Sequence, residues 1–482
     1  MKPQRRWFTR LVLAGLTAGA AAFAADTASA VPDHVAFSKD IAPILQRSCQ
    51  NCHQPDGVAP MSLITYKEVR PWAKSIKERT ALRDRRGVMP PWYIEKNIGI
   101  QHYKNDNSLT DLEIAKIGKW VDTGAPEGNP ADLPPPRPLA DNTRWTLGEP
   151  DLVVSTAEVN VKAGAPDWWG DLDPVGTGLT EDRYVKSVEM REVNDIQKDP
   201  GRKTVGGRYV FHHMIWSTNV PGSPGGLADG ESGSWPIHEV GRNADIFPDD
   251  AGRLLRANSN LVFSSTHLHS NGHDTKARLL FGFKFFPKGY KPAIRWSRSR
   301  SLGNGVDIDL RPNESGQRLD AYTVLEEHTK VVSFEPHMHA PGVRMCLEAI
   351  WGINIQTLSC SGYDHNWVRV YDYDDDYAPL LPKGTILHIT GWFDNTPANF
   401  NVPDPRNWSG SGNRSISNMF IDLGRGLSLT DEQFYAEMAK RREKLKPGTN
   451  AVILGCPLCN GDVIAPGKRP VKATSGDGSS NQ

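Results

Sequence analysis

Between residues 145 and 423 the chain is a succession of short β-branched and aromatic runs, each broken off by Gly, Pro, Asn or Asp. Examples lie at 208–220, 260–267, 276–286, 330–335, 344–350, 367–373 and 385–393. Branched and aromatic side chains fit a pleated, half-buried surface, and the punctuating residues supply the turns. Such even spacing predicts β-sandwiches, and a stretch of roughly 280 residues has room for two. The 44 Gly and 36 Pro agree with a turn-rich β protein. A single helix is expected at about 430–445, opened by the capping pair Thr430 and Gln433.

The first thirty residues read as a leader rather than as fold. Lys2, Arg5, Arg6 and Arg10 precede an apolar run at 11–24, and two small-residue cleavage signals end at Ala24 and Ala30. This is the pattern of a secretory signal peptide, with cleavage expected before Val31 and a periplasmic or secreted product. No later segment approaches the ~18 uninterrupted apolar residues of a membrane span, so the mature form is expected to be soluble. Lys and Arg (56) balance Asp and Glu (56), which gives no electrostatic case for nucleic acid as a partner.

The six cysteines fall into three pairs: Cys49 and Cys52, Cys346 and Cys360, Cys456 and Cys459. Cys49-Gln50-Asn51-Cys52-His53 is the attachment pattern of one covalent haem c. Two thiols on one helical turn reach the two vinyl groups of a porphyrin, and the next imidazole reaches the iron. Helices are expected before it, around 37–45, and after it, from the capping residues Ser108 and Thr110 to Thr123. Met89 is the expected axial partner of His53, with Met61 the alternative. Ligation by His and Met closes the iron and suits electron transfer. The segment 124–144 is rich in Pro and Gly and reads as a semi-stiff spacer. Cys346 and Cys360 flank a hairpin turn near 352–354 and are expected to form a cross-strand disulfide. Cys456 and Cys459 have no following His, and a short-loop disulfide is the simplest reading.

Fourteen histidines are present, and several cluster at the ends of β-runs. His212 and His213 follow Tyr209-Val210-Phe211; His267 and His269 end the run at 261–269; His337 and His339 end the run at 331–339. Alternate residues of a strand share a face, so His337 and His339 can hold one metal. Adjacent histidines at a strand end can reach one ion from opposite sides, as the near-linear pair that Cu(I) accepts.

The pieces that surround these histidines form an ordered set. They are His212-His213-Met214, Thr266-His267-Leu268-His269-Ser270-Asn271-Gly272, Pro336-His337-Met338-His339-Ala340-Pro341-Gly342, Phe393-Asp394-Asn395-Thr396, Val402-Pro403-Asp404-Pro405 and Arg414-Ser415-Ile416-Ser417-Asn418-Met419. In content and order, over about 60% of the chain, they resemble the copper type II, ascorbate-dependent monooxygenases, the family of peptidylglycine α-hydroxylating and dopamine β-monooxygenases. The resemblance implies two jelly-roll sandwiches and two copper ions. The first ion would take His212, His213 and His267, with His269 as the alternative. The second would take His337, His339 and Met419, with Met438 as the competitor; a thioether favours Cu(I). His337, His339 and Met419 would then be the catalytic set, at which O2 meets a substrate C–H bond. Peptide-amidating members carry an arginine two residues before the first histidine of the Met-bearing site. Glu335 stands there in this chain, so a peptide C-terminus is not the expected substrate.

The expected fold class is therefore multidomain: a small all-α c-type cytochrome domain followed by two all-β jelly-roll sandwiches. The expected boundaries are a leader at 1–30, a cytochrome at 31–125, a spacer at 126–144, sandwiches at 145–297 and 298–445 (the second with its helix), and a partly disordered tail at 446–482. The expected function is a copper monooxygenase acting on a small molecule with O2. Its electrons would come from ascorbate or a periplasmic redox protein through the haem on its spacer. The alternatives are a haem and copper electron carrier with no hydroxylase activity, and an oxidase that exports electrons through the haem.

Overall fold

The computed structural model describes residues 31–445 apart from 56, 58, 60, 140–143, 197–207, 223–234, 240–243, 298–301, 304–306, 352–353 and 413–416. The expected leader at 1–30, the Cys456 and Cys459 pair and the expected disordered tail lie outside the described residues.

The first β unit has two sheets around one core. Leu152–Ser155, Thr275–Phe285, Arg183–Asn194 and Ala244–Ile246 are neighbours in one sheet, which Val159–Val161 and Arg253–Leu255 also join. Trp168–Gly176, Asn260–Leu268, Phe211–Asn219 and His238–Glu239 form the other. Leu279, Phe281 and Phe283 point inward from the first sheet at the two-residue period of a strand; Phe211, Trp216, Leu261 and Phe263 meet them from the second. All seven are at most 1% exposed, so this interior is closed to water.

The second β unit is built on Gln317–Val324, Ile386–Phe393, Gly342–Trp351 and Asn354–Gly362 in that order. The last two strands pair with Cys346 opposite Cys360, and the disulfide joins them across the ladder, as the sequence leads one to expect. A smaller sheet of Leu302–Gly303, Phe420–Asp422 and Pro336–Met338 packs onto the same core through Leu302, Met338 and Phe420. The helix Asp431–Leu445 starts at Thr430, whose hydroxyl accepts from the Gln433 amide while the Gln433 side chain accepts from the Thr430 amide. Its Phe434 and Met438 are buried against Leu380 and Leu429, so Met438 is a core residue of that contact and does not line the histidine cleft described below.

The N-terminal segment corrects the expected fold class. The chain does not form a small all-α c-type cytochrome domain followed by two all-β jelly-roll sandwiches. It is mostly β-sheet, and its N-terminal helices are short: Ala42–Ser48, Tyr66–Val69, Ala73–Thr80 and Asp111–Asp122. The first and last are near the expected positions, and Thr110 and Glu113 cap the last reciprocally. They share a small apolar cluster containing Phe37, Leu45, Val69, Ile117 and Trp120. The chain between the third and fourth helices, however, leaves that cluster and enters the second β unit. Trp92, Ile94, Ile100 and Tyr103 are part of the sandwich core, Ile94 bridges to Ser361, and Tyr103 bridges to Tyr373. The amides of Glu95 and Ile100 donate to the carbonyls of Cys360 and Leu358 (2.9 and 2.8 Å). These contacts cover the open edge of Asn354–Gly362 and satisfy its backbone groups, which an all-α domain standing apart would leave exposed. The Pro-rich segment also lies on the helices rather than swinging free. Phe37 and Ser38 donate to the carbonyls of Pro126 and Glu127, and Gln46 exchanges hydrogen bonds with Pro135 and Arg137. No helix among the described residues is long and apolar enough to cross a membrane.

Candidate metal centres

His212 and His213 open the strand Phe211–Asn219, where side chains of neighbouring residues should point to opposite faces. The pairing with Asn260–Leu268 slips on both sides of His213, between Phe211 and His213 and again between His213 and Ile215. A bulge of this kind re-aims a side chain, and here it turns both imidazoles toward one side. His267 stands directly opposite His213 on the partner strand. The ligand nitrogens of His212, His213 and His267 all lie within 4.8 Å of one another. Their ring centres are 4.7, 5.1 and 5.7 Å apart, as expected of imidazoles around one ion at metal–nitrogen distances of about 2.0–2.1 Å. The Nδ1 atoms of His212 and His213 are 3.4 Å apart. A linear pair would need about 4 Å between them, so the two rings are set for a bent arrangement rather than the near-linear one expected from their adjacency.

Neighbours fix the third ring. His267 Nε2 donates to the Asp167 carboxylate (2.9 Å), and Trp169 stacks on the imidazole face at 3.9 Å. The tautomer this imposes leaves the lone pair on Nδ1, which is buried with no partner among the described residues. His269 is turned aside: its Nε2 donates to the Tyr209 carbonyl (3.0 Å), although its ring is also near His212 (5.3 Å).

The second set forms where Pro336–Met338 pairs with Phe420–Asp422. Met338 faces the sandwich core, which leaves His337 and His339 on the other side with ring centres 5.6 Å apart. The pairing of Met338 with Phe420 brings the preceding Met419 beside them. His339 Nδ1 donates to the Ser417 carbonyl (3.1 Å), leaving its lone pair on Nε2. His337 Nδ1 is buried with no partner among the described residues. Glu335 is 3% exposed and does not line the cleft beside these groups.

His212 and His213 of the first set and all three residues of the second line one cleft of about 590 Å³ including its mouth, with His365 beside them; His267 is not among its lining residues. Burial pushes His212 and His337 down to about 3 and His213 well below its ordinary value, and the neighbouring imidazoles push the same way. Burial also lowers His267, with Asp167 opposing it. The rings are therefore neutral, the form that binds a metal ion. Neutral nitrogens with orphaned lone pairs and one soft thioether fit Cu(I) and Cu(II) well. Asp167 and Trp169, just before and within the strand Trp168–Gly176, carry no metal-site pattern in sequence; pairing of Trp169 with His267 brings them to that ring. His365 lines the same cleft, and no strand-end pairing in the sequence sets it apart.

At the other candidate centre, Cys49 ends the helix Ala42–Ser48, and the amides of Cys52 and His53 both donate to its carbonyl. Both cysteines are free, and burial pushes the Cys49 thiol up to about 12 and raises Cys52 as well. Neutral thiols are poor thiolate ligands, and their spacing on one turn fits thioether attachment to a porphyrin. His53 Nδ1 donates to the Met61 carbonyl (3.2 Å), which leaves Nε2 as the iron-binding nitrogen, so these residues fit haem c. Met61 packs on the helical cluster. Met89 is 40% exposed and lines a separate cavity with Val88, Trp92, Leu109 and Ile114. Neither Cys49, Cys52 nor His53 lines that cavity.

Compared with known proteins, the sequence matches no family model and no curated protein. Among solved structures, it is similar to the cowpea mosaic virus top component, at 11% identity over 60% of this chain and 94% of that one, with a TM-score of 0.27. It is similar to broad bean stain virus at 10% identity over 60% of this chain and 96% of that one, again with a TM-score of 0.27. A likeness this slight carries no conclusion about this chain.

Proposed function

We propose that the protein is a copper-dependent monooxygenase that hydroxylates a C–H bond of a small substrate with O2 and draws its electrons from a haem c at Cys49, Cys52 and His53. The observation that carries this reading is one cleft lined by His212 and His213 of a three-imidazole cluster and, beside them, by His337, His339 and Met419. Copper supplies one-electron chemistry and O2 activation there; the overall change is R–H + O2 + 2e⁻ + 2H⁺ → R–OH + H2O. His212, His213 and His267 would hold the ion that passes on an electron. His337, His339 and Met419 would hold the one at which O2 is used, because sulfur stabilises the reduced metal. The exported location remains an expectation of the leader alone.

Metal analysis of the purified full chain is expected to give two coppers and one haem iron. His337→Ala or Met419→Ala should lose about one copper, or bind it at least tenfold more weakly, with the haem absorption spectrum unchanged. Loss of neither copper in either variant would remove the basis for the second site. Retained copper and haem with no substrate-dependent O2 uptake would leave an electron carrier in place of an oxygenase.

A further inference from the structure

The loop 364–369 runs from the histidine cleft to Trp92, which shares a cavity with Met89. Asp364 is buried and accepts from the Gly87 amide (3.2 Å) and the Tyr93 hydroxyl (3.4 Å), so it is fastened to the N-terminal segment. His365, Asn366, Trp367 and Val368 line the histidine cleft. The His365 ring is 5.7 Å from that of His339, and it interacts electrostatically with His212, His213, His267 and His337 as well. At the far end, the Arg369 guanidinium lies over the Trp92 ring at 5.3 Å, and Trp92 lines the same cavity as Met89, the expected axial partner of His53. Four Cα–Cα steps separate His365 from Arg369, a span of at most about 14 Å even when fully extended. His365 Nδ1, Trp367 Nε1 and Arg369 Nε are all buried with no partner among the described residues. Three orphaned polar atoms on one short loop are unusual unless something sits against it.

We infer that residues 365–369, with Trp92, form a fixed electron path between the haem centre and the copper-holding cleft. The inference rests on the function proposed above and adds the route. One electron leaves ferrous haem, which becomes ferric, and reduces Cu(II) to Cu(I). No domain swings in this scheme, because Asp364 fastens the loop to Gly87 and Tyr93 of the N-terminal segment.

The test uses the full chain carrying haem and Cu(II), without O2. The haem is reduced by a flash-excited flavin donor, its reoxidation is followed by absorbance, and the loss of Cu(II) is followed by its paramagnetic resonance. In the parent protein reoxidation should be first order, independent of protein concentration and matched by loss of Cu(II). Trp367→Leu and Arg369→Met should each slow it about tenfold or more, with haem spectrum, copper content and melting temperature retained. Trp367→Phe should restore most of the rate, and Ile355→Ser on the exposed face should leave it unchanged. A rate that rises with protein concentration, or that is unchanged in both Trp367→Leu and Arg369→Met, overturns the path. A preparation that takes up no haem or no copper would instead overturn the proposed function, and the path with it.

Discussion

At the scale of single residues, the candidate copper centres depend on neighbours that settle which nitrogen of each imidazole carries the proton. His267 is the clearest case. Asp167 accepts the hydrogen bond from Nε2, Trp169 covers one ring face, and Nδ1 turns inward. A carboxylate behind a ligand histidine sets its orientation and strengthens it as a donor. Asp167→Ala should therefore weaken copper at His212, His213 and His267 by about 10–100-fold while the His337 set and the haem keep their occupancy. Competition with a Cu(I) chelator measures this. Unchanged affinity would mean that the Trp169 stack alone orients the ring.

At the scale of the element, the bulged start of Phe211–Asn219 is held by a half-buried carboxylate on the facing sheet. Glu192 accepts from the amides of Val210 (3.0 Å) and Phe211 (2.9 Å) and from the Asn194 side chain (2.7 Å). Burial nonetheless pushes it up from 4.5 to about 7. Below pH 4.5 both folded and unfolded chains hold this proton, and the fold bears no penalty. As pH rises from 4.5 to about 7 the unfolded chain releases the proton first, so stability falls across that window and then levels off. Glu192→Gln should remove this contribution, on the order of 3 kcal/mol over the window. The buried histidines act in the opposite sense: they lose stability as pH falls from 6.5 toward about 3. The difference between parent and Glu192→Gln, from urea melts at pH 4.5 to 8, isolates the carboxylate. Parallel pH profiles would show that Glu192 titrates alike in the folded and unfolded chains.

At the scale of the whole molecule, the N-terminal segment and the second β unit form one packed body. Arg344 and Glu95 pair across the contact, Trp92 and Tyr103 fill the sandwich core, and Gly362 is pressed against the chain at Asp84. A Cβ on Gly362 would stand 2.2 Å from the Asp84 carbonyl oxygen, and its own amide already donates to Tyr93 (2.9 Å). Backbone on both sides leaves nothing flexible to give way. Gly362→Ala should cost about 1–3 kcal/mol and loosen the docked segment. A lower melting temperature, with faster proteolysis between residues 81 and 105, is the expected readout. Wild-type melting and cleavage would show that the contact is slack.

The parts legible in the amino-acid order are those written by neighbours along the chain. Alternating β-runs, the capping pairs at Thr110 with Glu113 and Thr430 with Gln433, the Cys346–Cys360 hairpin, and the Cys49, Cys52 and His53 turn each depend on residues a few positions apart. The His212, His213 and His267 trio was also readable as a set, but its bulge and its Asp167 support were not. Only the folded chain decided that residues 92–103 complete a β core some 260 residues away, that His212 and His213 share a cleft with His337, His339 and Met419, and that His365 lines it too. The physical reason is that local spacing sets which face a side chain takes, whereas the partner of an edge strand is chosen by burial and backbone hydrogen bonding across the whole molecule. Trp92 and Ile94 look the same in sequence whether they cover a haem or seal a sheet.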